Sequence, residues 1–382
     1  MNGFMKKLAS IKWKHFINYI AVAIVAVIFT AMTFAGALPQ STLFLLEKIT
    51  MFIILAVSLS LVVGFLGELS LGHAGFMCIG AYVGGKVALL LDGVIDGNGI
   101  LSFIIALIVG TAVAGVFGFI IGLPALRLKG DYLAIVTLAF GEIVKTVFEN
   151  SSKETFGGPI GLRTPRFDKQ HLFIIGFVLV LITMFVIQNL IRSKHGRAIT
   201  AIRDNEIAAK ATGINVTKYK LIGFIISSAF AGVAGVFYSF ANSTVKASVF
   251  DYNYSIEILI MVVLGGMGNI SGAIISATVI TFINNQLQTV LTGNLAVMKD
   301  IIYALILVLI IIYNNAPALK FFREKYNFKA LAKKLFKKRD ASYVHDDDAR
   351  WDVVPTKIDM DEILSVDLKV VESTMRPDKE EK

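Results

Sequence analysis

The sequence predicts an all-α fold, a polytopic bundle of membrane helices, and three observations predict it. Hydrophobic residues make up 55% of the 382 positions and charged residues only 17%, whereas a soluble domain is about 45–50% apolar and about 25% charged. Apolar stretches of about 20 residues, the length that crosses a hydrocarbon core of about 30 Å, recur along most of the chain. No alternating ten-residue pattern suggests a barrel, so the spanning elements are helices, which satisfy their backbone hydrogen bonds internally in lipid.

The apolar segments run at 16–38, 41–66, 74–91, 100–123, 131–148, 172–191, 220–240, 255–265, 270–290 and 300–313, about ten in all. The first follows the basic stretch "MKKLASIKWKH" and ends in "AGA" at Ala35 to Ala37, as in a secretory signal. An h-region is usually about 7–15 residues, and Phe16 to Leu38 is longer, so an uncleaved first helix is expected. Starting inside and alternating sides puts both termini in the cytoplasm, with 22 basic residues inside against 6 outside. That asymmetry follows the positive-inside rule.

The chain divides into a basic cytoplasmic N-terminus (1–15), a transmembrane domain (16–319) holding a cytoplasmic loop at 192–220, a basic juxtamembrane segment (320–339) and an acidic tail (340–382). The tail carries net −7 against +16 for the rest, lacks apolar periodicity and reads as a flexible cytoplasmic extension. One external loop, Asn150 to His171, opposes the charge rule with Lys153, Arg163, Arg166 and Lys169. Its "FGGPIGL" is turn-rich, and both a plain connector and a docking or gating surface fit it.

The basic excess lies beside apolar spans, so the partner it implies is the lipid bilayer and not nucleic acid. Enzyme chemistry is not legible. The chain has no G-x-x-x-x-G-K-[ST] phosphate loop and no H-E-x-x-H, its five histidines are scattered, and "GELSLG" has its first glycine one residue too far from Ser70 for a nucleophile elbow. Cys78 stands alone, which excludes an internal disulfide and a cysteine zinc cluster. No metal and no cofactor is expected.

What remains is polar chemistry inside apolar spans: Glu68, His73, Lys86, Glu142, Lys145 and Glu257. A charge at that depth costs roughly 2.5–3.5 kcal/mol on insertion scales and faces the bundle interior, a water-filled path or a partner charge. Glu142 and Lys145 are spaced to pair on one helix, and Lys86 is placed to snorkel.

Two stretches interrupt their helices with glycine. In "GELSLGHAGFMCIGAYVGG", Gly67 and Gly72 flank a place where a helix breaks, while Gly80 and Gly84 have the small-xxx-small spacing of close helix packing. "GGMGNISGA", Gly265 to Ala273, repeats G-x-x-S. Paired breaks point to a transport site near the midplane, where broken backbone lines a cavity. The candidate translocation path is therefore Gly67, Glu68, Ser70, Gly72, His73, Gly265, Gly266, Gly268, Asn269 and Ser271.

In the cytoplasmic loop, Asp204 or Asn205 is placed to cap a helix of about two turns over "EIAAKAT", with Gly213 at the left-handed C-terminal position. Alone, so short a helix is marginal in water. Packing under the bundle and docking on a cytoplasmic partner both suit it.

Glu206, Ala208, Ala209 and Gly213 resemble the EAA loop of ABC-importer permeases. Together with "GELSLGHAGFMCIGAYVGG", "GDYLAIVTLAFGEIV", "GGPIGL" and "VVLGGMGNISGAIISA", in that order from about Leu45 to Ile312, the chain resembles the LivM-type permeases of branched-chain amino acid importers. The resemblance implies a multi-pass permease domain in a prokaryotic inner membrane. It also implies a second permease of LivH type, two cytoplasmic ATPases and an extracytoplasmic substrate-binding protein as partners. ATP hydrolysis would then belong to separate subunits, and Asp204, Asn205, Glu206, Ala208, Ala209 and Gly213 would form the ATPase-coupling helix. The expected cargo is leucine, isoleucine or valine; urea and short amides, or an ion-driven secondary transporter, are the alternatives.

Overall fold

The computed structural model describes residues 17–36, 38–92, 99–128, 130–164 and 169–290, with 304, 305, 308 and 312. Its helices are α1 (Ile17–Phe34), α2 (Gln40–Ser60), α3 (His73–Asp92), α4 (Gly99–Ala125), α5 (Asp131–Glu149), α6 (Lys169–Arg192), α7 (Lys194–Asp204), α8 (Glu206–Ala211), α9 (Val216–Ala241), α10 (Tyr252–Gly265) and α11 (Ile270–Val290). A π-helical turn, Leu61–Leu66, extends α2. Two short strands, β1 (Leu162–Arg163) and β2 (Thr244–Val245), pair antiparallel. Each of the first nine expected apolar segments contains a helix. The N-terminus (1–15), most of segment 300–313, the juxtamembrane stretch 320–339 and the tail 340–382 lie outside the described residues.

Among the described residues, six helical segments are long and apolar enough to cross a membrane: Gln40–Leu66, His73–Asp92, Gly99–Ala125, Leu172–Arg192, Val216–Ala241 and Ile270–Val290. Tyr19–Phe34 and Tyr252–Gly265 are apolar but shorter. The segment expected at 131–148 is helical as α5, yet is not among the six. It carries Asp131, Glu142, Lys145 and Glu149, which lower its hydropathy.

The core is a helical bundle in which α9 packs along α3 and α4, while α2 packs on α6, α9 and α11. Small residues let the α3–α9 pair close: a Cβ on Gly80 would meet the Gly232 carbonyl oxygen at 2.3 Å, and one on Gly235 the Met77 oxygen at 2.0 Å. The helix-packing role expected of Gly80 is thus realised against α9. Helix α2 is the central post, with 94% of its apolar window buried, against 28% for α4 and α11. The exposed Ile104, Ile108, Val116, Phe119 and Ile120 of α4 form a face suited to lipid tails.

The turn-rich loop is structured. "GPI" forms a 3-10 turn leading into β1. Tyr82 donates to the Val245 oxygen at 3.1 Å, and Thr164 donates to the Ser239 oxygen at 2.6 Å and the Asn242 oxygen at 2.8 Å. This loop is thereby bonded to the end of α9.

Candidate functional site

The 192–220 loop folds as a helical hairpin and not as a connector with one helix. The Ser193 side chain caps α7 by accepting from His195 N at 3.1 Å and Gly196 N at 3.3 Å. Of the two candidate caps for the next helix, Asn205 is the one used, accepting from Ala208 N at 3.0 Å. Asp204 instead closes α7 and accepts from Arg203 Nη2 at 2.8 Å. Gly213 takes φ 84, the left-handed residue the sequence demands, and Ile214 N reaches back to the Ala209 oxygen at 3.0 Å. That is the Schellman pattern, which satisfies a carbonyl at the helix end.

The six-residue α8 is far below self-supporting length, and tertiary contacts hold it. Ala209 is buried with Ile202 of α7 and Val216 of α9, against Ile214 and Tyr219. The opposite face is bare: Ile207 is 81% exposed, flanked by exposed Ala208, Lys210 and Ala211.

Below this hairpin lies an ion-paired staple. Lys220, whose side chain is 5% exposed, contacts the carboxylates of Glu68 and of Glu206, the latter at 3.2 Å. Glu206 also holds Lys210 at 2.7 Å. Glu68 belongs to the first glycine break and Glu206 opens α8, so one buried ammonium joins the two. Burying such charges is tolerable only because each finds a partner, and removing one partner from a buried pair costs about 3–5 kcal/mol.

The two breaks meet at the same place. After the π-helical turn, Gly67 adopts φ 77, and its Cβ position is filled by the Arg203 side chain, with Cγ 2.6 Å away. A Cβ on Gly64 would meet Gly268 N at 2.4 Å. Arg203 Nη1 donates to the Gly64 oxygen at 3.0 Å. The breaks lie beside Lys220, the fifth residue of the 26-residue α9. The short turn between α10 and α11, with φ 89 at Gly266 and φ 81 at Gly268, brings its backbone onto Gly64.

The remaining expected path residues separate by surroundings. Gly268, Asn269 and Ser271 line a cavity of about 290 Å³ with Arg192 and Gln188. Ser70 and His73 are buried; His73 Nε2 lies 2.8 Å from Ser58 Oγ, and Ser227 donates to the Ser58 oxygen at 2.7 Å. Gly72 abuts the Thr137 oxygen and Gly265 the backbone of Gly272. Gly266 has only Asn269 Cβ near its own Cβ position, at 3.9 Å.

The other charges expected within apolar segments are half-buried, and each has a partner. Glu142 holds Lys145 at 3.2 Å, as its spacing predicts, and accepts from Tyr252 N at 2.8 Å at the start of α10. Lys86 donates to the Glu154 oxygen at 3.3 Å, and Glu257 accepts from Asn284 at 3.0 Å. No group of three metal-ligating side chains occurs among the described residues. Sequence reasoning missed Lys220, Arg203 and Ser193. The one available signal was that Lys220 opens the apolar segment 220–240.

Residues 41–311 match the family described as branched-chain amino acid transport system / permease component. The chain is 34% identical over 312 residues, 73% of its length and 69% of the other's, to the high-affinity branched-chain amino acid transport system permease protein LivM of Salmonella typhimurium. It is 27% identical over 292 residues to the ribose import permease protein RbsC of Escherichia coli, covering 71% of this chain and 84% of that one. The probable branched-chain amino acid transport permease protein LivH of Methanocaldococcus jannaschii matches at 32% over 161 residues, 42% of this chain and 47% of that one.

Proposed function

The chain belongs to the family of branched-chain amino acid transport permease components, and on that premise we propose that it is the LivM-type permease subunit of an ATP-driven importer for leucine, isoleucine and valine. As a permease component it is a multi-pass protein of the inner membrane. In this reading it pairs with a LivH-type permease, two cytoplasmic ATPases and an extracytoplasmic binding protein.

The observation that carries the mechanism is the Glu68–Lys220–Glu206 staple beneath a helix whose outer face is exposed. Helix α8 presents Ile207, Ala208 and Ala211 to an ATPase groove, which buries them when it docks. Closure of the ATPase pair on ATP pushes α8, and Lys220 passes the displacement to Glu68 at the break between α2 and α3. The bundle then alternates between outward-facing and inward-facing states. Burying one branched aliphatic side chain yields only about 1.5–3 kcal/mol, so the binding protein carries most of the selection among substrates.

Ile207→Asp tests this without touching the core. We expect loss of ATPase copurification and of leucine uptake, with normal membrane insertion. Copurification and uptake at wild-type level would refute the docking role of α8.

A further inference from the structure

Helix α1 packs chiefly on α6, and the seam between them stays open as two joined hollows. One, of about 460 Å³, lies between Ile20 and Phe185; the other, of about 370 Å³, lies between Phe34 and Ile174. Val178 and Leu181 line both, so the hollows form one crevice. From Ile174 to Phe185 it follows α6 for about 17 Å at 1.5 Å per residue. One leaflet, half of a hydrocarbon core of about 30 Å, is about 15 Å deep.

The two hydroxyls on the wall are turned to backbone. Thr30 donates to the Ala26 oxygen at 2.7 Å, and Tyr19 donates to the Met184 oxygen at 3.3 Å, which ties α1 to α6 at one end. A third helix, about 10–12 Å across with its side chains, does not enter between two that touch, whereas a flexible hydrocarbon chain does. The end nearest Tyr19 carries the charge. Arg192 ends α6 and stands 7, 11, 14 and 18 residues beyond Phe185, Leu181, Val178 and Ile174, the spacing of a single helical stripe. Its guanidinium acts electrostatically on Tyr19, which places it at the mouth of the crevice. It donates to Gln188 Oε1 at 3.4 Å, and among the described residues no carboxylate pairs with it.

Lys194 and Arg197, both exposed, follow Arg192 in α7. With the 192–220 loop in the cytoplasm, this end of the crevice meets the headgroups of the inner leaflet, where anionic lipids attract arginine and lysine. The planar guanidinium fork matches a phosphate. We propose that the α1–α6 crevice holds an acyl chain of an anionic phospholipid of the cytoplasmic leaflet, with Arg192 on its phosphate. A zwitterionic headgroup brings its own cation against Lys194 and Arg197, so the site selects for net negative charge. The bound lipid fastens α1 to the bundle along the one seam that chiefly holds it.

The test uses the full chain with its copurifying subunits in phosphatidylcholine liposomes that hold a trace of phosphatidylglycerol with a diazirine midway along one acyl chain. Label is expected in the segments around 20–34 and 174–185, displaced by excess phosphatidylglycerol and not by further phosphatidylcholine. Arg192→Gln should lower labelling fivefold or more, and Arg192→Lys should retain most of it. Ala23→Trp, which fills the crevice and leaves the charge intact, should abolish it with the monodisperse peak of the wild type preserved. If that variant loses the peak, the two Arg192 variants decide alone. Equal labelling by a phosphatidylcholine probe, full labelling in Arg192→Gln, or label confined to other helices overturns the site. So does label on the isolated chain that is lost with the subunits present, since a protein segment then covers the crevice.

Discussion

The two halves of the stretch from Gly67 to Gly85 use the same residue for opposite ends. In the first half, glycine interrupts a helix: Gly67 turns left-handed after the π-helical turn, and the backbone stays non-helical until His73. What fixes this half is charge, through Glu68 and Lys220. In the second half, glycine preserves a helix and lets it touch another, with Gly80 against Gly232 and no charge at the contact. Ion pairs hold a segment whose backbone is irregular; backbone contact holds one that is rigid. The first arrangement suits a part that moves and the second a part that does not.

That contrast breaks most sharply at the packed seam. Gly80→Val places methyl groups where the Gly232 backbone already sits, and backbone cannot rotate away as a side chain can. We expect failure to accumulate folded protein, seen as loss of the monodisperse peak in detergent. Overpacking a core costs about 1–3 kcal/mol, occasionally more, and here two backbones must part.

At the staple the effect is smaller and of a different kind. Lys220→Met leaves Glu68 and Glu206 without their shared cation, at about 3–5 kcal/mol for a fully buried pair and less here because Glu206 is partly exposed. A lower Tm with loss of uptake is expected. Adding Glu68→Gln should restore part of the Tm but not the transport, because neutralising the acid removes the burial cost without rebuilding the link. Full recovery of uptake in the double variant would show that the staple is structural only.

The smallest change in stability is expected at Gly213, whose Cβ position meets nothing within 4 Å. Gly213→Val there carries only the left-handed backbone cost, roughly 1–2 kcal/mol for an ordinary residue and somewhat more for a β-branched one. The protein should insert and stay folded while uptake falls, since the end of α8 loses its cap. Unimpaired uptake would separate α8 from coupling.

Much of the bundle is legible because span length and hydropathy are local. The segment read at 270–290 is the helix Ile270–Val290, and the left-handed turn at Gly213 follows from a helix-forming run ending in glycine. Helix α7 is not legible in the same way. Gly196 and the β-branched Ile199, Thr200 and Ile202 weaken its propensity, so its existence depends on burying Ile199 and Ile202 beneath the bundle.

By itself the sequence determined that the chain is a bundle of membrane helices, that two of its connections are glycine breaks, and that a short capped helix occupies its basic loop. Composition, period and capping are properties of neighbouring residues, so they survive without knowledge of the fold. Only the tertiary structure decided that the breaks touch each other through Gly64 and Gly268, and that Lys220, already beside Glu206, pairs with Glu68 across 152 residues of sequence. A buried charge selects its partner by proximity in three dimensions, and nothing in the spacing of residues encodes which acid that will be.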